Sequence, residues 1–369
     1  MKRKILFILH LPPPVHGAAL MGNYVKMSDK INDNFECNFI NLSASTNIGS
    51  IGKLGIKKAF FFFQLLLSTI RALVKKNHDI CYVTMTSNGA AFYKDFFVVA
   101  ILKVFRKKIL LHFHNKGVEE GTKKNKINFL LYKFILGGKK TRVVLLSPNL
   151  YYDVKRYVDQ KRVYYCANGI PVCKDSIFSE KKNNDPVRLL FLSNMMMTKG
   201  VFVLLEACAQ LKKRNIPFEC HFVGDWLDIT ETSFHQKATE LNLSNSVYAY
   251  GKKYDEEKNL FYQQSDIFIF PSLNEAFGLV LLEAMQFNLP IIASNEGGIP
   301  DVVLDNETGY IVLKNDPDEL AARLICLINN PSLRETMGLA GKKRFEENFT
   351  LSKFEERLTN IISEFADAA

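Results

Sequence analysis

Twelve short apolar runs recur along the chain, separated by segments whose apolar residues repeat every three to four positions. Continuous apolar runs, rather than alternating ones, read as strands buried on both faces. Their alternation with helical periods is the βαβ rhythm of a parallel sheet covered on both sides. In the first half this predicts strands at Lys4–Leu9, Phe35–Asn41, Asp79–Thr84, Lys108–Phe113, Thr141–Leu146 and Arg162–Tyr165. Helices are predicted between them at Ala18–Lys30, Lys57–Lys76, Phe92–Lys107, Ile127–Leu136 and Pro148–Val158. A second series predicts strands at Val187–Leu192, Phe218–Val223, Val247–Tyr250, Ile267–Phe270, Pro290–Ala293 and Tyr310–Leu313. Its helices are predicted at Val201–Arg214, Thr232–Leu241, Glu256–Gln264, Phe277–Phe287, Asp318–Asn329 and Leu333–Phe345, and a last one at Leu351–Ala366.

The polar stretch Lys174–Asp185, ended by Asn183-Asn184-Asp185-Pro186, interrupts the rhythm and reads as a linker. It predicts a first domain over residues 1–178, a second over 179–350, and a terminal helix over 351–369. A chain of 369 residues suits two α/β cores better than one. Two Rossmann-like domains with a cleft between them is the architecture expected.

Charge sharpens the division. Residues 1–178 hold 29 Lys and Arg against 10 Asp and Glu, while 179–369 hold 19 against 28. A basic half suits an anionic surface such as lipid headgroups or pyrophosphate; the plainer reading is a solvated lysine-rich face. Nucleic acid would suit it too, but no recognisable binding module accompanies the charge. The seven cysteines show no C-x-x-C spacing and read as reduced thiols. The N-terminal run Ile5–Leu9 is too short for a signal peptide and is followed by Pro12-Pro13-Pro14. No segment reaches the roughly 20 apolar residues of a spanning helix.

Chemistry concentrates in one block. The strand at Ile267–Phe270 leads into Pro271-Ser272-Leu273-Asn274-Glu275-Ala276-Phe277-Gly278, then into a helical run containing Glu283. In open α/β sheets ligands bind beyond the carboxyl ends of strands. The N–H groups opening the next helix point outward with the positive end of its dipole, which suits phosphate. Glu283, about two turns along, can accept hydrogen bonds from ribose hydroxyls, and Glu275, on the loop, can reach a sugar. Isolated glutamates are usually solvated helix residues; the pattern as a whole is what points to a ligand.

The block resembles glycosyltransferase family 4, nucleotide-sugar-dependent enzymes of the GT-B fold. The family's E-x7-E motif is matched by Glu275 and Glu283, its N-G-[VI] segment by Asn168-Gly169-Ile170, and its G-G-x-P-E segment by Gly297-Gly298-Ile299-Pro300-Asp301, with Asp for Glu. The resemblance covers nearly the full length and is strongest over 187–350. It implies two Rossmann-like domains facing across a cleft, with the C-terminal helix crossing back to the N-terminal domain. It further implies that Glu283 binds the nucleotide ribose and Glu275 the donor sugar. Backbone amides at Phe277, Gly278 and Leu279 would face the sugar and distal phosphate.

The family's pyrophosphate clamp, roughly G-R-x-x-x-x-K-G, corresponds to Ser193-Asn194-Met195-Met196-Met197-Thr198-Lys199-Gly200. Lys199 is present, but Asn194 stands at the arginine position and brings no charge. The Met run reads as core filling. Of the family's Gly-Gly pair after the first strand only Gly17 remains, preceded by His16, and it is implied to approach the donor phosphates. The absence of G-x-G-x-x-G argues against a dinucleotide oxidoreductase.

Leu111-His112-Phe113-His114-Asn115 ends another strand, and alternation puts both histidines on one face. The family's histidine near the donor sugar is best matched by His114. His-x-His could ligate a metal, but no third ligand is evident. Asp316-Pro317-Asp318 reads as a helix N-cap rather than a metal site. No metal or cofactor is expected.

The segment Lys57–Lys76 carries Phe60-Phe61-Phe62-Phe63, with Lys57, Gln64, Ser68, Arg71 and Lys75 on one stripe. Its apolar face is wider than packing on a sheet needs, and Phe92–Lys108 repeats the theme. Docking at an anionic membrane surface is one reading and a buried core helix the other.

The expectation is a retaining glycosyltransferase at the cytoplasmic membrane face. It would move a hexosyl or N-acetylhexosaminyl unit from a nucleotide diphosphate sugar, UDP-sugar by family frequency, to a lipid-linked saccharide in bacterial surface polysaccharide synthesis. His114, Lys199 and Glu275 are the expected catalytic residues. Gly17, Asn194, Phe277, Gly278, Leu279 and Glu283 are expected to bind donor with them. A nucleotide-sugar epimerase of the same fold and a catalytically dead saccharide-binding relative are the alternatives.

Overall fold

The computed structural model describes residues 2–43, 56–173 and 185–367, apart from the side chains of 56–59 and 124. Residues 174–184 of the linker candidate Lys174–Asp185 and the side chain of Lys57 lie outside the described residues.

The first sheet comprises β1 (Arg3–Leu9), β2 (Phe35–Asn41), β3 (Ile80–Met85), β4 (Lys108–Phe113), β5 (Thr141–Leu145) and β6 (Val163–Tyr165), in the order β2-β1-β3-β4-β5-β6. The second comprises β7 (Val187–Leu192), β8 (Phe218–Val223), β9 (Val247–Ala249), β10 (Ile267–Phe270), β11 (Ile291–Ser294) and β12 (Gly309–Val312), in the order β12-β11-β10-β7-β8-β9. Every ladder is parallel. All six residues of β3 and all four of β10 are buried, as continuous apolar strands in doubly covered sheets must be.

The two strand orders reverse at different places: between β1 and β3 in the first sheet, and between β7 and β10 in the second. At such a switch point the loops leaving adjacent strands turn to opposite faces and open a crevice.

The chain divides into two compact units, Met1–Asn168 with Leu351–Ala369, and Gly169–Thr350. The division thus falls ten residues before the expected 178/179 border. The reason is local. Ile170 N–H donates to the Phe349 carbonyl at 3.0 Å and Ile170 bridges Thr350, which ties the segment after Asn168 to the second unit. The helix Leu351–Asp367 belongs to the first unit, where Arg357 donates to the Ala167 carbonyl at 2.9 Å and Lys108 to that of Ala366 at 3.1 Å.

Three helical expectations are corrected. The run at 18–30 is two helices, Gly17–Met27 and Asp29–Asn34, because Ser28 leaves helical geometry and its hydroxyl caps Ile31 N–H at 3.2 Å. The run at 148–158 is only a 3₁₀ turn, Pro148–Leu150, and a short helix, Tyr151–Val154. The buried Asp153 carboxylate of that short helix instead accepts from the N–H groups of Gly117, Val118 and Glu119. It thereby starts a polar helix, Val118–Lys124, that shows no apolar period in the sequence. The helix after β10 begins at Leu279 rather than Phe277, since Gly278 takes a left-handed conformation with φ 82°. Glu283 is therefore its fifth residue, about 6 Å along the axis from Leu279, not two turns in.

Candidate donor site

In the second unit, β11, β10 and β7 lie side by side, and the loops leaving their carboxyl ends meet. Backbone hydrogen bonds join them. Leu273 N–H and Asn274 N–H both donate to the Thr198 carbonyl, at 2.8 and 3.2 Å. Gly298 N–H donates to the Ala276 carbonyl at 2.9 Å. Two glycines permit this approach. A Cβ on Gly200 would stand 2.0 Å from the Pro271 carbonyl oxygen, and one on Gly297 would stand 2.1 Å from that of Glu275. Both also have positive φ, 77° and 55°, which side-chain-bearing residues resist.

This convergence brings Lys199 to Glu275 across 76 residues of sequence, with Nζ 2.8 Å from Oε2. Lys199 also donates to the Asn274 carbonyl at 3.2 Å and lies 5.8 Å from the Phe270 ring centroid. The other carboxylate oxygen of Glu275 accepts from Ala276 N–H at 2.9 Å and Phe277 N–H at 3.2 Å. Burial opposes ionisation of Glu275. The Lys199 charge and these hydrogen bonds outweigh it and hold the carboxyl below its ordinary value. Glu275 is therefore an anion at neutral pH, already paired.

One expectation changes here. The Phe277 amide was to face a ligand, but it is engaged by Glu275, and the Phe277 ring is buried against Phe349. Gly278 caps and Leu279 opens the helix Leu279–Gln286, whose first-turn N–H groups have no intrahelical acceptor. Asn194 sits half-buried at the start of the loop after β7. Of the Met run, Met195 is core and Met197 is half exposed, so the filling role holds for the first residue only.

Glu283 is held by two residues that the sequence reading did not single out. Lys258 Nζ lies 2.8 Å from Oε1, and the Tyr262 hydroxyl donates to Oε2 at 2.8 Å. Tyr262 is fully buried and stacks on Phe287 at 5.4 Å. Burial, then the Glu283 charge, pushes its phenol well above the ordinary value, so it stays a donor. The signal was present in sequence: Lys258 and Tyr262 are four apart on the helix Asp255–Gln264 and so share a face.

In the first unit, histidines gather at the carboxyl ends of β1 and β4. The rings of His112 and His114 lie 4.1 Å apart, confirming that they share a face. His10 and His16 are 6.2 Å apart, and both act electrostatically on His114. Burial lowers His114 to about 3, and the charges His10 and His16 would carry act the same way; a hydrogen bond with Asn168 opposes. Burial likewise lowers His10 to about 4. His112 is wholly buried and bonded to the Tyr82 hydroxyl, a structural role. Nδ1 of His114 has no hydrogen-bond partner among the described residues. Gly17 opens the helix Gly17–Met27, which His16 caps by accepting from Ala19 N–H at 3.4 Å.

Among the described residues no group of three or more His, Cys, Asp or Glu could hold a metal ion. Asp316 caps the helix Pro317–Ile328 by accepting from Glu319 N–H at 2.8 Å, and Asp318 accepts from Gln210, so the Asp-x-Asp is a helix start.

Residues 174–344 match the family model described as glycosyl transferases group 1. The capsular polysaccharide biosynthesis glycosyltransferase CapM of Staphylococcus aureus is 30% identical over 182 residues, 49% of this chain and 47% of its own. The amylovoran biosynthesis glycosyltransferase AmsK of Erwinia amylovora is 29% identical over 213 residues, 54% and 52% respectively. The chain spans about half the length of these curated relatives. A crystal structure of Anabaena HepE in complex with UDP matches with TM-score 0.76 at 18% identity, covering 98% of this chain and 100% of that one. That likeness is one of fold, and the fold is GT-B.

Proposed function

We infer, from a chain of GT-B fold whose residues 174–344 match the glycosyl transferases of group 1, that the protein is a glycosyltransferase using a nucleotide diphosphate sugar. The carrying observation is that Glu275, on the loop leaving β10 beside the switch point, and Glu283, eight residues on in the helix that follows, are each held by a lysine. Glu283 takes the ribose, Glu275 the sugar, and the N–H groups of Gly278 and Leu279 the distal phosphate. Lys199 moves from Glu275 toward the departing diphosphate, a short step for a flexible ammonium already at the site. UDP is the nucleotide we favour; HepE, of like fold, was crystallised with it.

Transfer proceeds with retention. The bond from the anomeric carbon to the phosphate oxygen breaks, and the bond to the acceptor oxygen forms on the same face. The acceptor proton passes to the leaving phosphate. Lys199 and the helix N–H groups stabilise the charge that develops there. With this cation and dipole in place no metal is required. His114, in the first unit, is kept neutral at physiological pH by burial.

The acceptor in this reading is a lipid-linked saccharide; the names of CapM and AmsK, capsular polysaccharide and amylovoran biosynthesis glycosyltransferases, support a place in polysaccharide synthesis. No helix among the described residues is long and apolar enough to cross a membrane. Docking from the cytoplasmic face uses three neighbouring helices of the first unit. They expose Phe60, Phe63, Leu67 and Val74 on Ile56–Lys75, Phe97 and Val104 on Gly89–Val104, and Ile127, Leu130 and Phe134 on Lys126–Leu136. Phe62 against Phe97 at 5.7 Å and Phe96 against Phe134 at 5.9 Å join them into one face. The net positive charge of this half suits anionic headgroups.

Thermal-shift screening against UDP-, GDP- and dTDP-sugars, with Glu283→Ala beside the wild type, tests the donor reading. A donor should raise the wild-type melting temperature and leave the folded variant unmoved; equal shifts in both would overturn the assignment of Glu283.

A further inference from the structure

Glu283 is clamped at both oxygens. Lys258 holds Oε1 and Tyr262 holds Oε2, each at 2.8 Å. Tyr262 cannot follow a moving carboxylate, because its ring is fully buried and stacked within 6° of the Phe287 plane. Lys258 rises from the same helix face one turn earlier. An ion pair on an open surface contributes little, but here the two side chains are only 26% and 20% exposed.

An ionised carboxylate offers about four acceptor positions. Lys258 and Tyr262 occupy two and leave two, one on each oxygen. Two is also the number of vicinal hydroxyls on a ribose. A glutamate free to rotate would lose that freedom on binding; this one is already ordered. The lysine also offsets the carboxylate charge that an approaching diphosphate would otherwise meet. That matters in a chain whose Asn194 adds no cation.

We propose that Lys258 and Tyr262 are positioning residues that orient Glu283 toward the 2′- and 3′-hydroxyls, so that the site selects ribonucleoside over 2′-deoxyribonucleoside diphosphate sugars. The inference rests on the nucleotide-sugar reading above, and narrows it: UDP- or GDP-sugars are donors and dTDP-sugars are not.

The test is calorimetric titration of the full chain with UDP, GDP and their 2′-deoxy analogues, for wild type, Lys258→Met, Lys258→Arg and Tyr262→Phe. Wild type should bind its ribonucleotide about tenfold more tightly than the deoxy form, a single good hydrogen bond's worth. Lys258→Met should lose about tenfold in ribonucleotide affinity and less than about twofold for the deoxy analogue, and Lys258→Arg should restore most of the difference. Tyr262→Phe, folded by circular dichroism, should also compress the ratio. An unchanged ratio in Lys258→Met, or a parallel loss for both nucleotides, overturns the proposal. Wild type binding only the deoxy analogues likewise overturns it, whereas wild type binding none of the four nucleotides would instead sink the nucleotide-sugar reading, before any variant is considered.

Discussion

Lys199 and Glu275 meet at 2.8 Å although they leave different strands, β7 and β10, whose loops are brought together by the reversal of strand order between them. Among the described residues neither makes another salt bridge. Removing one leaves the other's charge about four-fifths shielded from water. Lys199→Met should therefore abolish transfer at saturating donor, and should destabilise the fold by about 1–3 kcal/mol, measured by urea denaturation. A variant with wild-type kcat would exclude Lys199 from leaving-group stabilisation.

The same pair sets an acid limit. The folded carboxyl of Glu275 lies below its ordinary value of 4.5. Its contribution to stability is then fully present above about pH 4.5 and lost as pH falls through the lowered value. In Lys199→Met that acid limit should move upward, readable in the urea midpoint between pH 3 and 6.

The buried histidines act earlier on the pH scale. His114 is lowered to about 3 and His10 to about 4, both from 6.5, so the unfolded chain takes up protons that the folded chain refuses. Stability should be at its full level above about pH 7 and decline from 6.5 down toward 4. The double variant His10→Gln and His114→Gln should flatten that slope. An unchanged slope would place these imidazoles in water.

Gly297 should not tolerate a methyl group. Its added Cβ would stand 2.1 Å from the Glu275 carbonyl oxygen, at a φ of 55°. Gly297→Ala should push the β10 loop away, cost about 1–3 kcal/mol in denaturation, and raise the KM for donor. Loss of stability with KM unchanged would detach this contact from the site.

The membrane face can be tested where it is exposed. Phe60 and Phe63 are 64% and 63% exposed, whereas Phe61 and Phe62 are half-buried and Phe62 packs on Phe97. Phe63→Ser with Phe97→Ser should release the protein from anionic vesicles in flotation assays while donor hydrolysis persists. Retained flotation would turn these helices into an ordinary, if greasy, surface.

The twelve strands, the parallel character of both sheets and the E-x7-E block were legible in the chain, because buried strands and helix faces are written as local apolar periods. What lay beyond reach was of longer range. The sequence shows Lys199 and Glu275 but not that they touch, since strand order is decided by how whole sheets pack. Asp153 reads as a helix residue in a helix that mostly does not form, because its partners are three amides some 35 positions away. Lys258 and Tyr262 share a face by spacing alone, yet only the packing of their helix against that of Glu283 gives the face an object. Local periodicity determined which elements this protein has; the joining of distant loops, through glycines that let backbones approach, decided which side chains form a site.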